Sequence, residues 1–192
     1  MKDNKVFCTA SMTHTKDTIY RLSQTQYSSF HFSAKVVQAL IGIALILYGL
    51  YGDSQLIMPM VCLLIGCMLV VSLDIRARMR ASAVIKAMEG TFPSSQYTFY
   101  AGSFAYYDQG TRIPYGNLIR LVEDRSYLYL YISTDSAYMV DKNSLIKDEL
   151  TGLKSLLVEK TGLRWRKPFG LLNFSIREWI SANQELKDRQ LR

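Results

Sequence analysis

Histidine and cysteine are scarce in this chain, two and three among 192 residues. His14 and His31 stand far apart, with no Cys or Asp set around either. A zinc site needs three or four ligands at compatible spacing, so none is expected. Cys8, Cys62 and Cys67 include no CxxC pair, and the last two share one apolar run. They read as small apolar residues in a reducing or lipid setting rather than as a disulfide framework. P-loop, GxGxxG, HExxH and GxSxG patterns are missing. Glu123 and Asp124 are adjacent acids, but strand neighbours point to opposite faces, and Arg125 follows. That group reads as a turn. The expectation is no catalytic, cofactor or metal site, and no enzyme.

Charge is missing over long stretches. The 17 residues 36–52 carry none, and neither do the 20 residues 54–73. A bilayer core about 30 Å thick is crossed by about 20 apolar residues in a helix. The second run has that length. The first is slightly short, and Lys35 snorkelling together with Phe30, His31 and Phe32 extends it. Neither run has the polar stripe of a helix packed in a water-soluble core. The runs also begin too far from Met1 for a secretory signal, with no small-residue cleavage site. They are expected to form a transmembrane helical hairpin, 34–52 and 55–74, with its tip near Asp53. Gly49 and Gly52 loosen the end of the first helix. Asp53 and Ser54 favour the turn and the cap of the second, and Pro59 falls early, where a lost backbone donor matters least. Cys62 and Gly66 form a small-xxx-small pair suited to close packing, most simply against the first helix.

Bases are absent from the tip and concentrated at the other end. Residues 1–35 carry five Lys or Arg and two acids, and residues 74–192 carry 18 bases and 13 acids. By the positive-inside rule both termini are expected in the cytoplasm. Most of the formal net charge of +7 then lies on the cytoplasmic side, facing an anionic leaflet. This accounts for the basic character without nucleic acid, for which no module is present. Arg76, Arg78, Arg80 and Lys86 lie on a continuation of the second helix, residues 75–94. They are the expected contacts to the membrane surface, or the ordinary flank that stops transfer. "EGTFPSS" ends this extension.

Periodicity changes to two on both sides of the hairpin. Within 1–33, "KVFCTASMTH" alternates as a strand, and a short helix capped near Thr15 follows. From Tyr97 about five antiparallel strands are expected. The clearest is "SYLYLYIS", where Tyr127, Tyr129 and Tyr131 alternate with Leu128, Leu130 and Ile132; "AYMVD" returns as its hairpin partner. The three tyrosines form either a partner surface or a half-exposed face opposite an aliphatic one. Leu145, Ile146, Leu150, Leu153, Leu156 and Leu157 make the apolar stripe of a helix ended by Gly162, closing the sheet. This assembly spans 95–162. In 163–192, Arg164, Trp165, Arg166 and Lys167 suit a membrane interface or a plain basic loop. "SIRE" is a capping-box pattern before a last helix.

The stretches "YTFY", "IPYGNLIRLVED", "YLYLYI" and "AYMVDKNSL" resemble the YcxB-like family of bacterial membrane proteins over roughly residues 5–160. The resemblance implies a pleckstrin-homology-like cytoplasmic domain, strands followed by a closing helix, and no catalytic residue. "YAGSFAYYDQGTR" carries only Arg112, so a phosphoinositide headgroup site is not expected.

The fold class is therefore an α+β membrane protein, a transmembrane hairpin plus a small antiparallel-sheet domain closed by a helix. The expected role is a non-enzymatic scaffold or regulatory module of the bacterial cytoplasmic membrane. Its partners would be the anionic bilayer and a membrane protein. The alternative is an immunity protein that guards the membrane against a secreted toxin or bacteriocin.

Overall fold

The computed structural model describes residues 5–52, 57–106, 111–169 and 175–190. Asp53 and Ser54, expected to turn the hairpin and cap its second helix, lie outside them. In chain order the elements are strand β1 (Val6–Thr13), helices α1 (Lys16–Phe30), α2 (Phe32–Tyr51), α3 (Ile57–Val71) and α4 (Ile75–Ala87), and strands β2 (Ser94–Tyr100), β3 (Ser103–Tyr106) and β4 (Arg112–Pro114). Strands β5 (Arg120–Glu123), β6 (Tyr127–Tyr131) and β7 (Ala137–Asp141), helix α5 (Lys147–Thr161), strand β8 (Trp165–Arg166) and helix α6 (Ile176–Gln190) follow. The expected α+β organisation holds. The chain divides into two compact units, residues 19–89 and residues 1–18 with 90–192.

The second unit is built on two four-stranded sheets, β1-β2-β3-β4 and β7-β6-β5-β8. All pairings are antiparallel except β5 with β8. The N-terminal strand, read as a separate segment ahead of the hairpin, is the edge strand of the first sheet. Its Thr13 lies opposite Ser94 and its Ala10 opposite Tyr97. Alternation explains the placement: Cys8, Ala10 and Met12 are buried, and the residues between them are exposed. The helical hairpin is thus an insertion between two paired strands.

Core positions are filled by Met12, Phe99, Phe104, Tyr115, Leu118, Leu121, Leu128, Leu130, Met139, Leu153 and Leu157. Leu153 and Leu157 are the centre of the leucine stripe expected on α5, whereas Ile146 at its start is exposed. That helix begins later than its pattern suggests, because Asp141 accepts from the Asn143 N–H and residues 142–144 form a 3-10 turn. It ends as expected at Gly162, whose φ of 67° is the left-handed conformation that glycine adopts without strain. The Cys8 thiol is pushed up to about 12 by burial and then by the nearby Glu149 carboxylate, so it stays a neutral core group.

An ion-pair cluster joins the second sheet to α5. Glu123 accepts from Lys142 at 2.9 Å and from Lys154 at 2.8 Å. Burial alone would disfavour its ionised form, but the two ammonium groups outweigh this and hold its carboxyl below the usual range. Asp124 is a turn residue, as its sequence suggests: one oxygen accepts from the Ser126 and Tyr127 N–H groups, both at 2.7 Å.

Residues 19–89 form the other unit. Two of its helices are long and apolar enough to cross a membrane, Phe32–Tyr51 and the run Ile57–Ala87, the latter containing a 3-10 turn at Ser72–Asp74. The pair is turned inside out relative to a water-soluble bundle. Val71 is 85% exposed, Ile57 and Met68 75%, and Leu64 68%. Glycine and proline lie inside instead. A Cβ on Gly66 would stand 2.7 Å from the Gly42 carbonyl oxygen, so the small-residue position serves contact between α3 and α2.

Two outcomes test these packing arguments. Gly66→Leu should destabilise the detergent-solubilised hairpin by about 1–3 kcal/mol, the usual range for overpacking, while Cys67→Leu on the exposed face should change its thermal unfolding little. Glu123→Gln should lower stability at neutral pH by about 1–3 kcal/mol, as for a lost charge-assisted hydrogen bond. Because the folded-state pKa is depressed, that stabilisation is present above the ordinary value of 4.5 and is lost as pH falls through the lower folded value. Melting temperatures across an acid series should therefore converge for the two proteins.

Candidate functional site

Lysine 35 organises the base of the hairpin. It was expected to reach outward, yet it is only 7% exposed and turns inward. Its ammonium bridges to Asp74, donates to Ser28 Oγ at 3.1 Å, and lies 5.1 Å from the centre of the Tyr27 ring. The reason is pairing across helices: an unpaired charge in an apolar surrounding is costly, and Asp74 offers the opposite charge. One turn further along α2, Gln38 donates to Leu69 O at 3.0 Å and to Ser72 Oγ at 2.9 Å. These polar groups satisfy one another at the level where α3 gives way to the 3-10 turn. A groove of about 730 Å³ opens beside them, lined by Ser33, Val37, Ile41, Leu69, Ser72 and Arg76 among others.

The four bases expected on the membrane surface, Arg76, Arg78, Arg80 and Lys86, all lie on α4 and are all exposed. The second basic group behaves differently. Arg164 and Lys167 are exposed, but Trp165 and Arg166 are half-buried in β8. The Trp165 indole N–H donates to Lys154 O at 3.1 Å, and Arg166 pairs with Glu185 at 2.7 Å. Arg166 also donates to Ser181 Oγ and Glu178 O. Arg120, nearly buried on the neighbouring strand, donates to Ala182 O at 3.0 Å. Burial, then repulsion from Arg166, brings its guanidinium down to about 10. Trp165 therefore ties β8 to α5 and Arg166 ties it to the C-terminal helix, so both side chains are engaged within the fold rather than free for the membrane surface expected of them. Their partners lie 11 to 19 residues away in sequence, so no local pattern announced them.

The tyrosine ladder is also corrected. Tyr129 and Tyr131 are fully buried and only Tyr127 is half-buried, so neither a flat partner surface nor a half-exposed face exists there. Strand β6 is interior to its sheet, with β7 on one side and β5 on the other. The Tyr129 hydroxyl is satisfied by Asp124 at 2.7 Å. Accessible tyrosines occur elsewhere. Half-buried Tyr106 and Tyr138, ring centres 6.1 Å apart, border a cleft of about 470 Å³ with Ile113, Asn117, Ile119 and Ile132. Sequence reasoning missed this pair because the two residues come from different sheets. Among the described residues no cluster of His, Cys, Asp or Glu is placed to hold a metal ion.

The fold and these surfaces define a class: a two-sheet α+β domain with an apolar helical hairpin inserted between its first two strands. Within it, residues 106–157 match the family model described as YcxB-like protein. That stretch runs from the end of β3 into α5 and contains "IPYGNLIRLVED", "YLYLYI" and "AYMVDKNSL", whereas "YTFY" and the helical hairpin lie outside the match. No curated protein and no solved structure matches the chain.

The ion pair at the base of the hairpin is testable by a double-mutant cycle. Lys35→Met and Asp74→Asn should each lower the thermal stability of the detergent-solubilised chain. Their combination should lose less than the sum, with a coupling of about 1–2 kcal/mol, discounted from a fully buried pair because Asp74 is partly exposed. Strict additivity would show that the two charges act separately.

Proposed function

We propose that this chain is a membrane-anchored, non-catalytic binding module of a bacterial cytoplasmic membrane. In this reading the hairpin lies in the bilayer, and the two-sheet domain and both termini lie in the cytoplasm. Support for insertion comes from the outward apolar surface of α2 and α3. Support for orientation comes from the exposed bases of α4 and the positive-inside rule. Four antiparallel strands, three more and then a helix agree with a pleckstrin-homology-like domain.

The observation that carries the proposal is the insertion itself. Chain leaves the sheet after Thr13 and returns at Ser94, directly opposite, and the His14 N–H donates to Pro93 O at 3.2 Å. The domain is thus held by two adjacent strands rather than by one linker. A domain held this way meets membrane partners at high effective concentration, so a modest contact suffices. The cleft between Tyr106 and Tyr138 is the proposed contact, because it is concave, largely apolar and rimmed by a few polar groups. Its occupant would be an apolar segment of a membrane protein.

A photoreactive residue replacing Asn117 at the cleft rim should give a discrete protein adduct in native membranes, and one replacing exposed Ser155 on α5 should not. Equal labelling from both positions, or none from Asn117, would count against the cleft. A reporter fused after Arg192 should be active only inside the cell; activity outside would reverse the orientation.

A further inference from the structure

We infer that the groove at the base of the hairpin is a binding site for one bilayer phospholipid with an anionic headgroup, a role that rests on the hairpin lying in a membrane. The groove is amphiphilic along its length. Val37, Ile41 and Leu69 form an apolar wall, and Ser33, Ser72 and Arg76 lie at the other end. The wall is continuous with the outward face of the pair, since Val37 is 55% and Ile41 51% exposed. An acyl chain therefore reaches it from the bilayer without crossing a polar barrier. At about 730 Å³ the groove is within the range of about 300–1,000 Å³ typical of small-molecule sites.

Charge selects the headgroup. Arg76 is the charged residue in the lining, and it is exposed. The acid two residues before it, Asp74, is occupied by Lys35 and is not in the lining. The mouth is accordingly positive. A phosphate suits this mouth: guanidinium groups bind its oxygens in a fork, and the exposed Ser33 hydroxyl can donate to it. The Lys35–Asp74 bridge is a positioning element, since it removes the carboxylate that would otherwise repel the anion.

The test uses full-length protein in nanodiscs of phosphatidylglycerol and phosphatidylcholine, with native mass spectrometry of the lipids retained after transfer to detergent. The intact chain should keep phosphatidylglycerol in preference. Arg76→Gln should reduce that preference about ten-fold, the effect of losing one charge-assisted hydrogen bond to the phosphate. Arg78→Gln removes the same charge outside the groove and should change it little. Val37→Trp fills the apolar wall with the charge unchanged and should lower occupancy by either lipid. Equal losses from Arg76→Gln and Arg78→Gln would reduce the effect to general surface charge and overturn the site. So would equal retention of the two lipids by the intact chain. Failure of the chain to enter nanodiscs, with monodisperse behaviour in detergent-free buffer, would instead overturn the membrane reading beneath it.

Discussion

A helix pair with glycine, proline and a lysine–aspartate bridge inside, and leucine, isoleucine and methionine outside, is long and apolar enough to cross a membrane and suits a surrounding other than water. Burying apolar surface is favourable by about 25 cal/mol per Å², and α2 and α3 keep theirs turned outward. In lipid the same surface carries no penalty, and close packing replaces the hydrophobic effect as the force joining helices. The near contact of Gly66 with Gly42 serves that purpose. Polar groups at the base obey the companion rule, that a charge or amide away from water must find a partner. Lys35 finds Asp74, and Gln38 finds Leu69 O and Ser72.

The two-sheet unit follows the opposite logic. Core side chains such as Phe99, Phe104, Tyr129 and Leu130 are enclosed, and polar groups serve as connectors between elements distant in sequence. Glu123 joins β5 to the β7–α5 connection and to α5 through two lysines. Arg120 and Arg166, on neighbouring strands, hold α6. Each cluster keeps charge within the fold while satisfying it, so charged residues that read as surface in a linear sequence become structural. Insertion of one unit into the other is economical in topology: adjacent strands β1 and β2 provide both connections.

Local chemistry made much of this legible. Thr15 was identifiable as a cap, and its hydroxyl accepts the Thr18 N–H while Thr18 returns the bond to the Thr15 N–H. Gly162 ends α5 because its signal, a glycine after an amphipathic run, involves only neighbours. Charge-free runs of adequate length announced α2 and α3 for the same reason. Misreadings arose where strand burial was inferred from one strand alone. Alternation at residues 127–132 implies two faces, but whether the second face meets water depends on what covers it, and Tyr129 and Tyr131 prove to be interior. Trp165 and Arg166 have a membrane-interface composition, yet a parallel pairing with Leu121 and Val122 claims them for the sheet.

What the sequence determined by itself is therefore whatever depends on nearest neighbours and on segment length: the apolar hairpin, the basic flank, the caps and the strand periods. Tertiary structure alone decided partnership. It assigned β1 to β2 across the intervening residues 14–93, turned Lys35 toward Asp74, and opened a cleft between Tyr106 and Tyr138. The physical reason is that periodicity specifies which face of an element is apolar, whereas the identity of the element that covers it depends on the closure of the whole chain.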